Sequence, residues 1–125
     1  MTTRIFVYGT LKPGLSRWQI LEPFALRADA DSSASAQGRL FDTGCGWPAA
    51  VFDSCLSEQV HGVVVAIRSE SINEALATLD VAEGVARGLF RRILVEVDGQ
   101  PCWAYHWPGP TNEFRRIARW PPAAK

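Results

Sequence analysis

With 125 residues, 47% of them hydrophobic and 21% charged, the chain has the size and composition of one globular domain that can bury a core without disulfide staples. Thirteen basic residues balance thirteen acidic ones, which removes the bulk electrostatic case for nucleic acid or an anionic membrane as partner. No run approaches the roughly eighteen apolar residues of a membrane span and the first residues carry no signal pattern, so a cytoplasmic protein is expected.

The first predicted element is a strand over residues 4–8, built from the β-formers Ile5, Phe6, Val7 and Tyr8. Its character then changes at once through Gly9, Thr10, Leu11, Lys12, Pro13 and Gly14. Consecutive backbone N–H groups with little side-chain obstruction form a concavity suited to carboxylate or phosphate oxygens. Gly9 adds backbone freedom and room for a ligand to approach. The spacing is wrong for a phosphate-binding P-loop or a dinucleotide fingerprint, which leaves a carboxylate as the better ligand. The same residues also read as a plain turn that ends an edge strand. Ser16 then stands where a short helix with Trp18, Leu21 and Phe24 on one side would take its cap.

Residues 28–37 are small and polar, with no strong period although their end already reads as strand, and strand character is plain in Gly38, Arg39, Leu40, Phe41 and Asp42. A glycine-rich loop, 43–48, leads to a short apolar run over 49–52. Residues 59–68 give the clearest strand, apolar on both faces and therefore central, with His61 as a packing residue. Ser71 and Glu74 have the spacing of a capping box. Ile72, Leu76 and Leu79 follow at i, i+4 and i+7, an amphipathic helix of about ten residues, and Gly84 is placed to end it.

Glu83 sits at that helix end, where the macrodipole disfavours an anion by on the order of 0.3–1 kcal/mol. Together with burial this lifts a carboxyl toward the range of a useful base. Asp80, one turn earlier, adds like-charge repulsion if the two side chains face each other. Standing alone, Glu83 also reads as an exposed last-turn residue. Residues 91–97 and 100–107 form a hairpin through Asp98-Gly99. Arg91 and Arg92 alternate to opposite faces, which leaves open the one that meets a pocket. A short helix is expected near 112–119.

Cys45, Cys55 and Cys102 are odd in number and match no zinc or redox spacing, so free thiols and no metal are expected. A nucleophilic Cys45 is a further reading, although no histidine is tied to it by context. The pattern as a whole is α+β, a small mixed β-barrel with flanking helices. It forms a single domain over 1–125, with its core in 4–107 and a tail in 108–125.

"VYGTLKPG" and "LDVAEG" together resemble the γ-glutamylcyclotransferase-like family, including its AIG2-like and γ-glutamylamine cyclotransferase branches. "GRLFDTGCGWPAAV", "VHGVVVAI", "GLFRRILVEVDG" and "CWAYHW" extend the resemblance in the same order across roughly 4–107. The resemblance implies a small β-barrel with flanking helices and a general base at Glu83. It also implies that Tyr8, Gly9, Thr10 and Leu11 hold the head of a γ-glutamyl substrate. The implied reaction uses no metal or cofactor and yields 5-oxoproline plus a free amine or amino acid. The chain departs from the family's usual aromatics at Ala82, Phe90 and Trp47, positions expected to shape the leaving-group wall. A binding or regulatory module for a carboxylate-bearing metabolite is the alternative that keeps the pocket without the chemistry.

Overall fold

The computed structural model describes residues 2–122, with the side chains of 27–32 outside the description. Its strands are β1 (Arg4–Val7), β2 (Ala25–Asp42), β3 (Pro48–Phe52), β4 (Gln59–Ile67), β5 (Arg91–Val97), β6 (Gln100–His106) and β7 (Arg115–Ile117). Two helices, α1 (Trp18–Leu21) and α2 (Ile72–Ala82), are inserted between them. The strands pair in the order β3-β2-β4-β1-β6-β5, and β7 adds to β2. β1 runs parallel to β6 and antiparallel to β4, so the sheet is mixed.

One buried cluster draws a residue or more from every strand of that path: Phe6, Ala36, Leu40, Ala50, Val60, Val97, Cys102 and Ala104. A sheet whose strands all converge on one cluster is curled around it. The Trp107 N–H donates to Ala50 O at 2.8 Å and the Phe52 N–H to His106 Nδ1 at 3.1 Å, so the β3 edge meets the end of β6 and the barrel nearly closes. Ile5, Val7, Val63 and Val65 form a second cluster outside it, packed against Leu21, Ile72, Ala75, Leu76 and Leu79. β1 therefore lies between two cores, Phe6 and Tyr8 facing in, Ile5 and Val7 facing the helices. An unbroken apolar run is what such a strand requires.

Several local expectations change. Residues 28–37 belong to β2, an eighteen-residue strand, and its segment 33–37 pairs regularly with 59–63 of β4. A register shift between Ala28 and Ser33 breaks the period-two pattern, which is why the alternation is unreadable there. Ser16 does not cap α1: Arg17 precedes it with φ −113° and no side-chain cap bond, and a 3₁₀ turn, Glu22–Phe24, continues it. The capping box does not form either. Ser71 has φ −108° and ψ −4°, makes no cap bond, and ends a 3₁₀ turn in which its N–H donates to Arg68 O at 2.9 Å.

The tail contains a strand rather than a helix. Leu40, Phe41 and Asp42 pair with Ile117, Arg116 and Arg115, while Ile117 and Trp120 pack on the barrel cluster. Arg116 bonds Glu58 at 2.8 Å and Arg115 reaches Asp42 at 3.3 Å. The free edge of β2 captures the segment, overriding its helical spacing. Its far end touches the opening loop through a bond from Lys12 Nζ to Trp120 O. His61 is exposed, not packed. Among the described residues no helix is long and apolar enough to cross a membrane.

Candidate active site

A cavity of about 260 Å³ lies where the loop after β1, the end of α2 and the segment entering β3 converge. That size is near the low end of the roughly 300–1,000 Å³ typical of small-molecule sites, and suits one small metabolite. Tyr8, Gly9, Thr10, Leu11 and Glu83 all line it, so residues seventy positions apart in the chain are brought together.

Glu83 is the C-cap of α2, its N–H bonded to Leu79 O at 2.8 Å. The next residue, Gly84, takes φ +66° and ψ +34°, the left-handed geometry that ends helices and that glycine adopts without strain. This turn aims the Glu83 side chain inward. The residue is only 7% exposed, which rules out the reading of an exposed helix-end charge. Burial pushes its carboxyl upward in pKa, and the nearby Arg17 guanidinium partly opposes that shift.

The opening loop folds back on its own carbonyls, Lys12 N–H donating to Gly9 O at 3.1 Å and Arg17 N–H to Thr10 O at 2.9 Å. Among the described residues the N–H groups of Gly9, Thr10 and Leu11 donate to no protein acceptor. They are the available donors of the loop. Gly9 is required here for space, not for unusual backbone angles, because its φ is not positive. A Cβ on it would lie 2.7 Å from Pro48 Cγ. Tyr8 lines the cavity while its ring packs in the barrel cluster and its hydroxyl donates to Tyr105 O at 2.7 Å. Its burial and the charge of Glu83 raise the phenol pKa, so Tyr8 stays neutral. The Leu11 side chain belongs to the helix-side core.

Arg17 is the functional candidate that sequence reasoning missed. Its Nη2 donates to Glu83 Oε1, its Nε to Thr10 Oγ1 at 3.0 Å, and its Nη1 lies 3.4 Å from Ala82 O. It thereby ties the loop to the end of α2. The only available signal was its place in the stretch that follows the glycine-rich loop, and nothing in its spacing announces a partner at residue 83.

Asp80 does not face Glu83. It accepts a bond from Tyr105 Oη at 2.8 Å and pairs with Arg92 at 3.3 Å, so the anticipated repulsion is replaced by a link from α2 to the β5–β6 hairpin. Arg92 also lies over the Trp103 ring at 5.0 Å, whereas Arg91 is exposed, and neither lines the cavity. Ala82, Phe90 and Trp47 all line it. Trp47 and Phe90 have ring centroids 5.8 Å apart, and Trp107 stands behind both at 6.0 and 5.5 Å. Cys45 is exposed and outside this cavity lining. No group of three or more His, Cys, Asp or Glu among the described residues is arranged to hold a metal ion.

A family model described as "Gamma-glutamyl cyclotransferase, AIG2-like" matches residues 5–121 and so takes in β7. An AIG2-like protein from Mus musculus superposes with a TM-score of 0.74 at 18% identity, over 94% of this chain and 87% of that one. YkqA from Bacillus subtilis gives 0.70 at 21% identity over 96% of this chain, which spans only 40% of the length of YkqA. The protein ytfP from Escherichia coli gives 0.61 at 28% identity, over 93% and 92% of the two chains. At these identities the likeness is one of fold. No curated protein matches the chain.

Proposed function

Because the chain belongs to the gamma-glutamyl cyclotransferase, AIG2-like family, we propose that it converts a γ-glutamyl amine or amino acid to 5-oxoproline and the free amine, with Glu83 as general base. The observation that carries this reading is a buried carboxylate and a row of available loop N–H groups facing one small cavity. The loop from Tyr8 to Leu11 receives the glutamyl head, its N–H groups serving an anionic end that a glycine at position 9 lets come close.

Glu83 takes a proton from the substrate's α-ammonium. The freed nitrogen attacks the γ-carbonyl carbon, a bond forms to close the five-membered ring, and the γ-amide C–N bond breaks. The departing nitrogen takes that proton from Glu83, the second proton shed by the ring nitrogen as the ring closes also passes to it, and it leaves as an ammonium, so no net proton is consumed. The nucleophile is part of the substrate, so holding its near-attack conformer supplies several kcal/mol of the acceleration. A positioned base typically adds about 10²–10⁴-fold. The cavity contains its own acid–base group, and the wall formed by Trp47, Pro48, Leu89 and Phe90 is apolar where the leaving group would lie.

The test is 5-oxoproline release from a panel of γ-glutamyl dipeptides, ε-(γ-glutamyl)-lysine and γ-glutamyl polyamines, with Glu83→Gln alongside. Release is expected from at least one member, falling about 10²–10⁴-fold in a Glu83→Gln protein that still folds. Near-parental turnover in that variant would remove Glu83 from the role.

A further inference from the structure

We propose that Arg17 joins the loop N–H groups in receiving the α-carboxylate of the substrate, giving up its bond to Glu83 when the zwitterionic glutamyl head enters. This inference rests on the γ-glutamyl reading of the site and names a binding residue within it. Arg17 and Glu83 are the two charged side chains that line the cavity. The head of a γ-glutamyl compound brings one ammonium and one carboxylate.

Were Arg17 to keep Glu83, the guanidinium would oppose the entering ammonium and hold the carboxylate as a weaker base. Its positive charge already acts in that direction on Glu83. Exchanging the single pair for two, ammonium with Glu83 and carboxylate with Arg17, removes both conflicts and leaves no buried charge unmatched. Breaking a buried pair without replacement is what costs most. The exchange is charge-neutral because cavity and head each sum to zero.

The attachment of Arg17 suits such a turn. Its backbone N–H is fixed to Thr10 O at 2.9 Å and its Nε to Thr10 Oγ1 at 3.0 Å, so the base of the guanidinium is held by the loop that receives the head. The contact to Ala82 O is long at 3.4 Å, which leaves the Nη end as the part able to change partner. The side chain is 35% exposed and so open to a ligand. A guanidinium fork also matches a carboxylate with two parallel bonds, a geometry that lysine does not offer.

Two probes test this, a γ-glutamyl alkylamide and the same compound with its α-carboxylate replaced by a carboxamide. Affinity is measured by calorimetry, and 5-oxoproline release is followed separately, in the parent protein, Arg17→Gln and Arg17→Lys. The parent is expected to prefer the carboxylate probe. Arg17→Gln should weaken that probe about 10- to 100-fold, while changing the carboxamide probe less than about threefold. Arg17→Lys should fall between.

Equal weakening of both probes would make Arg17 a support for Glu83 alone and overturn the assignment, as would unchanged affinity. If Arg17→Gln does not fold, the parent and Arg17→Lys decide: no preference for the carboxylate probe in the parent overturns the assignment. Preference lost with Arg17 but unaccompanied by 5-oxoproline release would uphold the carboxylate site and overturn the catalytic reading. A parent that binds neither probe overturns both.

Discussion

The position of Glu83 at the end of α2 was readable from the chain because its signals are local: an amphipathic repeat, a glycine that stops it, and a carboxylate at the junction. Arg17 was not, because its role exists only once the loop has folded onto Thr10 and α2 has docked. The pair has a consequence for pH. A base must be deprotonated to act, so kcat/KM should rise with pH through the Glu83 ionisation, which burial places above the ordinary carboxylate range. Arg17 opposes that shift, so Arg17→Gln should move the acid limb of the profile to higher pH, as measured with the best γ-glutamyl substrate. Gly9→Ala is a second test at this scale. Its Cβ would collide with the Pro48 ring and force the loop to move, so a stability loss of about 1–3 kcal/mol by denaturant titration and a raised KM are expected.

At the level of elements, the turn that ends α2 decides where the Glu83 carboxylate points. Gly84→Ala forces a left-handed backbone on a residue with a Cβ, which would also press on Leu89 Cβ at 3.1 Å. A destabilisation of about 1–2 kcal/mol is expected. Activity should fall further than stability, because Glu83 immediately precedes the turn. His106 gives the barrel seam its own pH dependence. Burial, and then the charge of Arg91, hold its pKa below the usual value of 6.5, and its Nδ1 must be unprotonated to accept the Phe52 N–H.

A histidine whose pKa is lower in the fold is protonated more readily in the unfolded chain. Its contribution to stability is therefore complete above about pH 6.5 and lost as pH falls through the folded pKa. Denaturation midpoints should decline as pH falls below about 6.5, and His106→Asn should flatten that decline. These elements also differ in how plainly the sequence announces them. The β5–β6 hairpin and α2 carry their own turn and period signals. β2 does not, since the bulge between Ala28 and Ser33 scrambles its alternation and its pairing depends on β4.

For the molecule as a whole, the segment beyond residue 107 changes meaning. Residue types alone suggested a short helix near 112–119, because the ladder that captures β7 is made with β2, some seventy residues away. The tail contributes Ile117 and Trp120 to the barrel cluster and a contact to Lys12 in the loop after β1. Ending the chain at Pro110 should lower stability by about 2 kcal/mol or more. It should also raise KM in whatever fraction remains folded, a pairing of effects checked by chemical denaturation and steady-state assay.

The placement of β1 matters for the order of synthesis. β1 lies in the middle of the sheet, and both of its partners, β4 and β6, follow it in the chain, so neither exists when it emerges. Ile5 waits for Trp103, so its ladder closes over a separation that makes folding slow. Until then the run Ile5-Phe6-Val7-Tyr8 is an unpaired apolar edge, a segment for chaperones to shield. The loop that lines the cavity follows that strand directly, so the pocket cannot be complete until both ladders have closed on β1.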